Sequence, residues 1–139
     1  MIVLDTSVIL ALLDRRDRWH DAATNWYAQC EDDFVTTPLV LAETDYLVES
    51  QLGAVHAASV RRDVSAGAYA VEWWSQAVGE MVTVADRYAD SALGLTDASL
   101  VALAAHVGTT RIATFDERHF RQVRPLRGGD AFTLLPLDA

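Results

Sequence analysis

Apolar residues along this 139-residue chain fall into two patterns that alternate, short unbroken runs and longer stretches repeating every three or four positions. The opening run, Met1 to Leu4, is apolar throughout and predicts a central strand covered on both faces. From Asp17 to Cys30, the residues Trp19, Ala22, Ala23, Trp26 and Cys30 recur at helical spacing and predict an amphipathic helix. Phe34-Val35-Thr36 reads as a second strand. Thr37-Pro38 then supplies an N-cap and a proline at the first helical position, for a helix running to about Leu52 where Gly53 stops it. Another helix is expected from Val55 to Ala66, ended by Gly67, followed by a strand at Tyr69-Ala70-Val71. Ser75 to Tyr88 reads as helical, with Val78, Met81, Ala85 and Tyr88 on one stripe. Thr96 is read as the cap of a helix that buries Leu100, Leu103, Ala104 and Val107 and closes at Gly108. Strands at Arg111 to Phe115 and Phe132 to Leu135 complete the set. Strands alternating with helices predict a parallel sheet flanked by helices, an open α/β sandwich. No repeat or Pro/Gly-rich linker interrupts the pattern, so one domain is expected over residues 1–139.

In such folds ligands bind beyond the carboxyl ends of the strands, which directs attention to acids in those positions. Asp5 directly follows the buried run Ile2-Val3-Leu4, with Thr6 or Ser7 expected to cap the short helix after it. The competing reading makes Asp5 itself that cap. Glu43 has Leu39, Val40, Tyr46 and Leu47 one turn away on either side, so it is expected to project from the core-facing stripe. A carboxylate there needs a compensating partner, either a bound cation or an arginine in a buried salt bridge. Asp45 and Glu49 read as ordinary solvated acids, and Asp90 as a loop residue. Asp97 lies in the first turn of the helix attributed to Thr96, where the helix dipole favours its ionised form. Asp116 repeats the geometry of Asp5 after Ile112-Ala113-Thr114-Phe115, and Thr6 and Thr114 place hydroxyls nearby. Acids from strand ends and helix first turns converging on one pocket would repel one another unless cations neutralise them. Magnesium or manganese suits such a nest of oxygens, and metal-assisted hydrolysis of a phosphodiester is the chemistry it would support.

A net charge of −9 runs against the basic surface typical of nucleic-acid binders. A multi-carboxylate site, however, counts as negative until its cations bind. All eleven basic residues are arginine, the residue best suited to phosphate. Arg118, Arg121, Arg124 and Arg127 recur every third residue after Asp116, and Arg15, Arg16 and Arg18 follow Asp5. The first row, Arg118 and Arg121 above all, is a candidate RNA grip, set against the plainer reading of a solvated charged face. His119 has no second histidine at ligand spacing and reads as a phosphate or structural contact rather than a base. Trp73 and Trp74 are candidates for base stacking or for packing in the core or at a subunit interface. The single cysteine, Cys30, excludes an internal disulfide and fits a reducing, cytoplasmic setting. The N-terminus carries no secretory pattern, and no apolar run is long enough to span a membrane.

Four segments taken together, Ile2-Val3-Leu4-Asp5-Thr6-Ser7, Ala42-Glu43-Thr44, Leu95-Thr96-Asp97-Ala98-Ser99-Leu100 and Thr114-Phe115-Asp116 with His119-Phe120, resemble the PIN-domain family, and closely its VapC-type toxins. The resemblance implies a three-layer α/β/α sandwich with a central parallel sheet and a Mg²⁺- or Mn²⁺-dependent endoribonuclease. It carries the four acidic positions onto Asp5, Glu43, Asp97 and Asp116, with Thr6 as a helper. It also implies a homodimer, restraint by a VapB-like antitoxin in a heterotetramer or larger assembly, and structured RNA such as tRNA or a ribosomal RNA loop as substrate. Two alternatives remain at this level. A non-catalytic PIN-like binding module would be expected to have lost acids, and none is lost. An aspartate-based phosphotransfer domain needs a basic residue, usually lysine, near the phosphate, and the phosphatase type also needs a second Asp two residues after Asp5, where Ser7 stands.

Overall fold

A computed structural model describes residues 1–139. Five strands, β1 (Ile2–Leu4), β2 (Phe34–Thr36), β3 (Ala70–Val71), β4 (Arg111–Ala113) and β5 (Thr133–Leu135), form one all-parallel sheet in the order β3-β2-β1-β4-β5. β1 sits at its centre because both its faces are apolar: Ile2 and Val3 are fully buried, with Ile2 opposite Phe34 and Val3 between Val35 and Ile112. Helices α1 (Thr6–Leu13), α2 (His20–Gln29), α3 (Pro38–Leu52), α4 (Ala54–Ser65), α5 (Ala77–Arg87), α6 (Leu95–Val107) and α7 (Glu117–Phe120) flank it, the α/β/α arrangement expected of the sequence. One cluster of 23 buried apolar residues joins the sheet to α1, α3, α5, α6 and α7. A small satellite of Val48, Ala57 and Val60 glues α3 to α4. No helix is long and apolar enough to cross a membrane.

Several boundaries differ from the sequence expectation, each for a local reason. α2 begins at His20 rather than Asp17, because the Asp17 carboxylate accepts from the Trp19 N–H at 2.8 Å and closes a turn ahead of the helix. α6 starts after Gly94 in extended backbone, so Thr96 is not its cap but lies inside the first turn, its carbonyl accepting from Ser99 Oγ. α6 is also not one-sided: every residue from Ala98 to Ala104 is buried, since the helix lies between α5 and the sheet. On α5 the buried stripe is Ala77, Met81 and Val84, and Val78 is turned to solvent. β4 stops at Ala113 because the Phe115 N–H leaves the ladder for Ser7 Oγ at 3.0 Å. The four-residue α7 was not anticipated; Asp116 caps it by accepting from the His119 N–H. Asp90 lies exposed in a short 3₁₀ turn.

Candidate metal centre

Asp5 emerges from the carboxyl end of β1 and is 5% exposed. Its Oδ1 accepts from the Thr6 N–H at 2.8 Å, so Asp5, and neither Thr6 nor Ser7, caps α1. The capping reading of this residue therefore holds, and the cap bond fixes the orientation of a carboxylate that also feels the charge of Asp116. Oδ2 accepts from Ser7 Oγ at 2.8 Å and from Thr114 Oγ1 at 2.7 Å, and Thr114 Oγ1 in turn accepts from the Asp116 N–H at 3.0 Å. Hydroxyls on α1 and after β4 thus tie the two strand-end aspartates together. Burial pushes the Asp5 carboxyl up, the three donors pull it back, and the nearby Asp116 charge pushes it up again; the net is a raised pKa.

Glu43 corrects one expectation and meets another. It does not project from the core-facing stripe of α3, which is Val40, Thr44 and Val48; Glu43 sits beside that stripe on exposed surface, and Tyr46 is exposed too. No arginine pairs with Glu43. Its Oε2 accepts from Thr6 Oγ1 at 3.3 Å, Thr6 accepting in turn from Thr44 Oγ1, so the carboxylate is held against the Asp5 end of the site. Partial burial and the Asp5 charge raise its pKa. Asp45 and Glu49, on the other side of α3, both grip Arg61 of α4 at 2.6 and 3.1 Å as exposed ion pairs.

Asp97 stands in the first turn of α6, a position fixed because Ser99 Oγ meets Thr37 Oγ1 at 2.9 Å and ties that turn to the start of α3. Its carboxyl is pushed up to about 7, first by burial, then by the charge of Asp5, with His119 opposing and Asp116 and Glu43 adding. All four acids therefore feel one another, and the sheet has brought together residues spread over most of the chain. His119, read from the sequence as a phosphate or structural contact, is a structural contact inside the centre. Its Nδ1 lies 3.0 Å from Asp97 Oδ2 and 3.0 Å from Asp116 Oδ2, and potential ligand atoms of Asp97, Asp116 and His119 fall within 4.8 Å of one another. Its three-residue spacing from Asp116 on a helix turn was the available signal. No arginine reaches any of the four carboxylates. Crowded oxygens, raised carboxyl pKa values and the absence of any arginine among them make a donor set that fits a hard divalent cation.

The PIN domain profile matches residues 2–125, an interval that contains all four acids. The chain belongs to the PIN domain family. Ribonuclease VapC26 of Mycobacterium tuberculosis is 34% identical to it over 136 residues, 97% of this chain and all of that protein. Among solved structures, the M. tuberculosis VapC20, a sarcin–ricin loop cleaving toxin, superposes with a TM-score of 0.78 at 23% identity, covering 84% of this chain and 90% of that one. FitAcB from Neisseria gonorrhoeae superposes with a TM-score of 0.62 at 18% identity, covering 84% and 88%. These two likenesses speak to the fold; the VapC26 match places this PIN domain among the VapC-type ribonucleases.

The arginine row of this PIN domain does not act as a unit. Arg121 is held by Asp138 through both terminal nitrogens at 2.6 and 2.8 Å and by Glu117, which locks α7 to the C-terminus and leaves no free edge for phosphate. Arg118 is exposed and makes no ion pair, one residue from His119. Arg124 and Arg127 are likewise exposed. In the other group, Arg16 pairs with Asp14 and Arg18 lies over the Trp19 ring, which stacks on Phe115. Trp74 packs parallel to His106 at 4.3 Å and donates to Glu80, while Trp73 leans against it half-exposed. Trp74 is thereby a packing residue.

Proposed function

We propose that this VapC-type ribonuclease is a divalent-metal-dependent endoribonuclease and the toxin of a toxin–antitoxin pair, with Asp5, Glu43, Asp97 and Asp116 as its metal-holding and catalytic residues. The observation that carries the reading is the meeting of four acids without an arginine among them. Gathering like charges in a partly buried pocket costs stability, and a protein keeps such an arrangement where a cation offsets it. Mg²⁺ or Mn²⁺ would be held by the carboxylates of Asp5, Asp97 and Asp116, with Glu43 beside them. Such a cation, when bound, makes water a better nucleophile and stabilises charge on the cleaved phosphate.

The chain's own groups prepare that chemistry. Thr6 N–H, Ser7 and Thr114 fix the Asp5 rotamer. Thr114 also orders the Asp116 backbone, and Thr6 orients Glu43. His119 holds Asp97 and Asp116 at a fixed separation. Arg118, exposed beside this group, is placed to meet an RNA phosphate, a role withdrawn from Arg121. We further read residues 1–139 as one domain acting in the cytoplasm as a homodimer, restrained by a VapB-like antitoxin in a heterotetramer or larger assembly. The substrate we favour is structured RNA, tRNA or a ribosomal RNA loop; the sarcin–ricin loop named for VapC20 is the first to try.

Purified protein incubated with total RNA should cut it in Mg²⁺ or Mn²⁺, stop in EDTA, and lose activity in Asp5→Asn and Asp116→Asn. Wild type that leaves RNA intact in every divalent metal, or variants that cut equally well, would overturn the proposal. Mapping of new 5′ ends shortly after induction in cells identifies the target.

A further inference from the structure

We propose that Tyr46 is a stacking platform that holds an unpaired base of the RNA next to the cleaved phosphodiester; the inference rests on the ribonuclease reading above. The other tyrosines are occupied: Tyr27 stacks on Phe34, the Tyr88 hydroxyl accepts from the Arg124 N–H, and Tyr69 is partly buried against the core. Tyr46 is 71% exposed. Its place on α3 gives that exposure meaning. It follows Glu43 by three residues, so the two side chains are neighbours on one helix face, with Cβ atoms about 5–6 Å apart. Side chains on a helix lean towards its N-terminus, which carries the Tyr46 ring back over the turn that bears Glu43. Arg61 of α4 pairs with Asp45 and Glu49, so Tyr46, three residues from Glu43 and three from Glu49, lies between that ion-pair cluster and the acid that borders the metal centre.

Charge gives the second reason. The protein carries −9 overall, several of those charges lie in the site, and Arg121 is committed to Asp138 and Glu117. An RNA strand approaching this pocket gains little from long-range attraction, so part of its affinity must come from contacts that ignore charge. Aromatic stacking is one, and it accepts any base. A base inside a duplex already has its faces covered; one in a loop does not. Tyr46 therefore selects RNA whose nucleotide beside the cut is unpaired, which makes the substrate a loop rather than a stem.

The test uses a synthetic sarcin–ricin stem–loop and a set of copies each lacking one loop base. Tyr46→Ala should raise KM about 5- to 150-fold, the range of one lost stack, with kcat little changed, and Tyr46→Phe should behave as wild type. Removing the base at one loop position should cost the wild type that same factor and cost Tyr46→Ala nothing further. Fluorescence anisotropy on the same RNAs in EDTA, where nothing is cut, makes the comparison without turnover, so that a failure of cleavage and a failure of stacking are separable. An unchanged KM and affinity in Tyr46→Ala, a Tyr46→Phe as impaired as the alanine variant, or a Tyr46→Ala that dissociates an oligomer without the base-specific loss would each overturn the proposal.

Discussion

The two ends of the central sheet handle negative charge in opposite ways. At the amino ends of the strands, Asp32 is gripped by both terminal nitrogens of Arg111 at 2.9 Å and by the chain's own N-terminal amine at 3.1 Å. At the carboxyl ends, four acids face one another with only His119 among them. The same residue type has its pKa lowered at one end and raised at the other, by a salt bridge in the first case and by burial and crowding in the second. The first end is arranged for holding the fold together. The second opposes folding until something positive enters, and that contrast locates function without reference to any relative.

The largest effect expected from this contrast is on activity. Asp97→Asn should reduce RNA cleavage by at least about 100-fold, the scale on which loss of one preorganised charge-stabilising group is felt. Asp32→Asn should leave cleavage intact and lower the melting temperature, read by the same preparations in a thermal-shift assay.

Stability against pH should separate the two ends next. The Asp97 carboxyl sits at about 7 against an ordinary value of 3.8, so between those values the folded chain holds a proton that the unfolded chain has released. Stability of the metal-free protein should therefore fall as pH rises through that window, on the order of a few kcal/mol shared among the coupled acids, and stay level above it. Asp32 has the opposite sign: its contribution is present above the ordinary carboxylate value and is lost as pH falls below it. Melting curves from pH 4.5 to 7.5 should slope downward for wild type and flatten in Asp97→Asn. An upward slope in metal-free wild type would contradict the reading of the crowded end.

Smaller differences are expected among the arginines. Arg121→Ala should lower the melting temperature through loss of its bonds to Asp138 and Glu117, without a specific effect on RNA affinity. Arg118→Ala should leave the melting temperature unchanged and weaken RNA binding several-fold, an effect that fades at high salt, as a single phosphate contact does.

The sequence carried most of the strands and helices because their signals are local. The apolar run before Asp5, Thr37-Pro38 before α3 and Gly108 after α6 each act within a few residues. The positions of Asp5 and Asp116 were legible for the same reason, since each follows a buried strand. What escaped reading depended on distant partners. Glu43 owes its orientation to Thr6, 37 residues earlier, and not to a core-facing stripe. β4 ends where Ser7, on the far side of the sheet's central strand, captures a backbone N–H. His119 joins the centre because α7 turns it between Asp116 and Asp97, and Arg121 leaves the RNA surface because Asp138 lies across from it. Periodicity sees neither event.

The central claim is that these four carboxylates coexist because they take up a divalent cation, and a calorimetric titration of purified protein with Mn²⁺ near pH 7 addresses it most directly. The account predicts saturable binding to wild type, little or none to Asp97→Asn, and undiminished binding to Asp32→Asn. Wild type that takes up no Mn²⁺, or Asp97→Asn that binds it as tightly as wild type, would contradict the account.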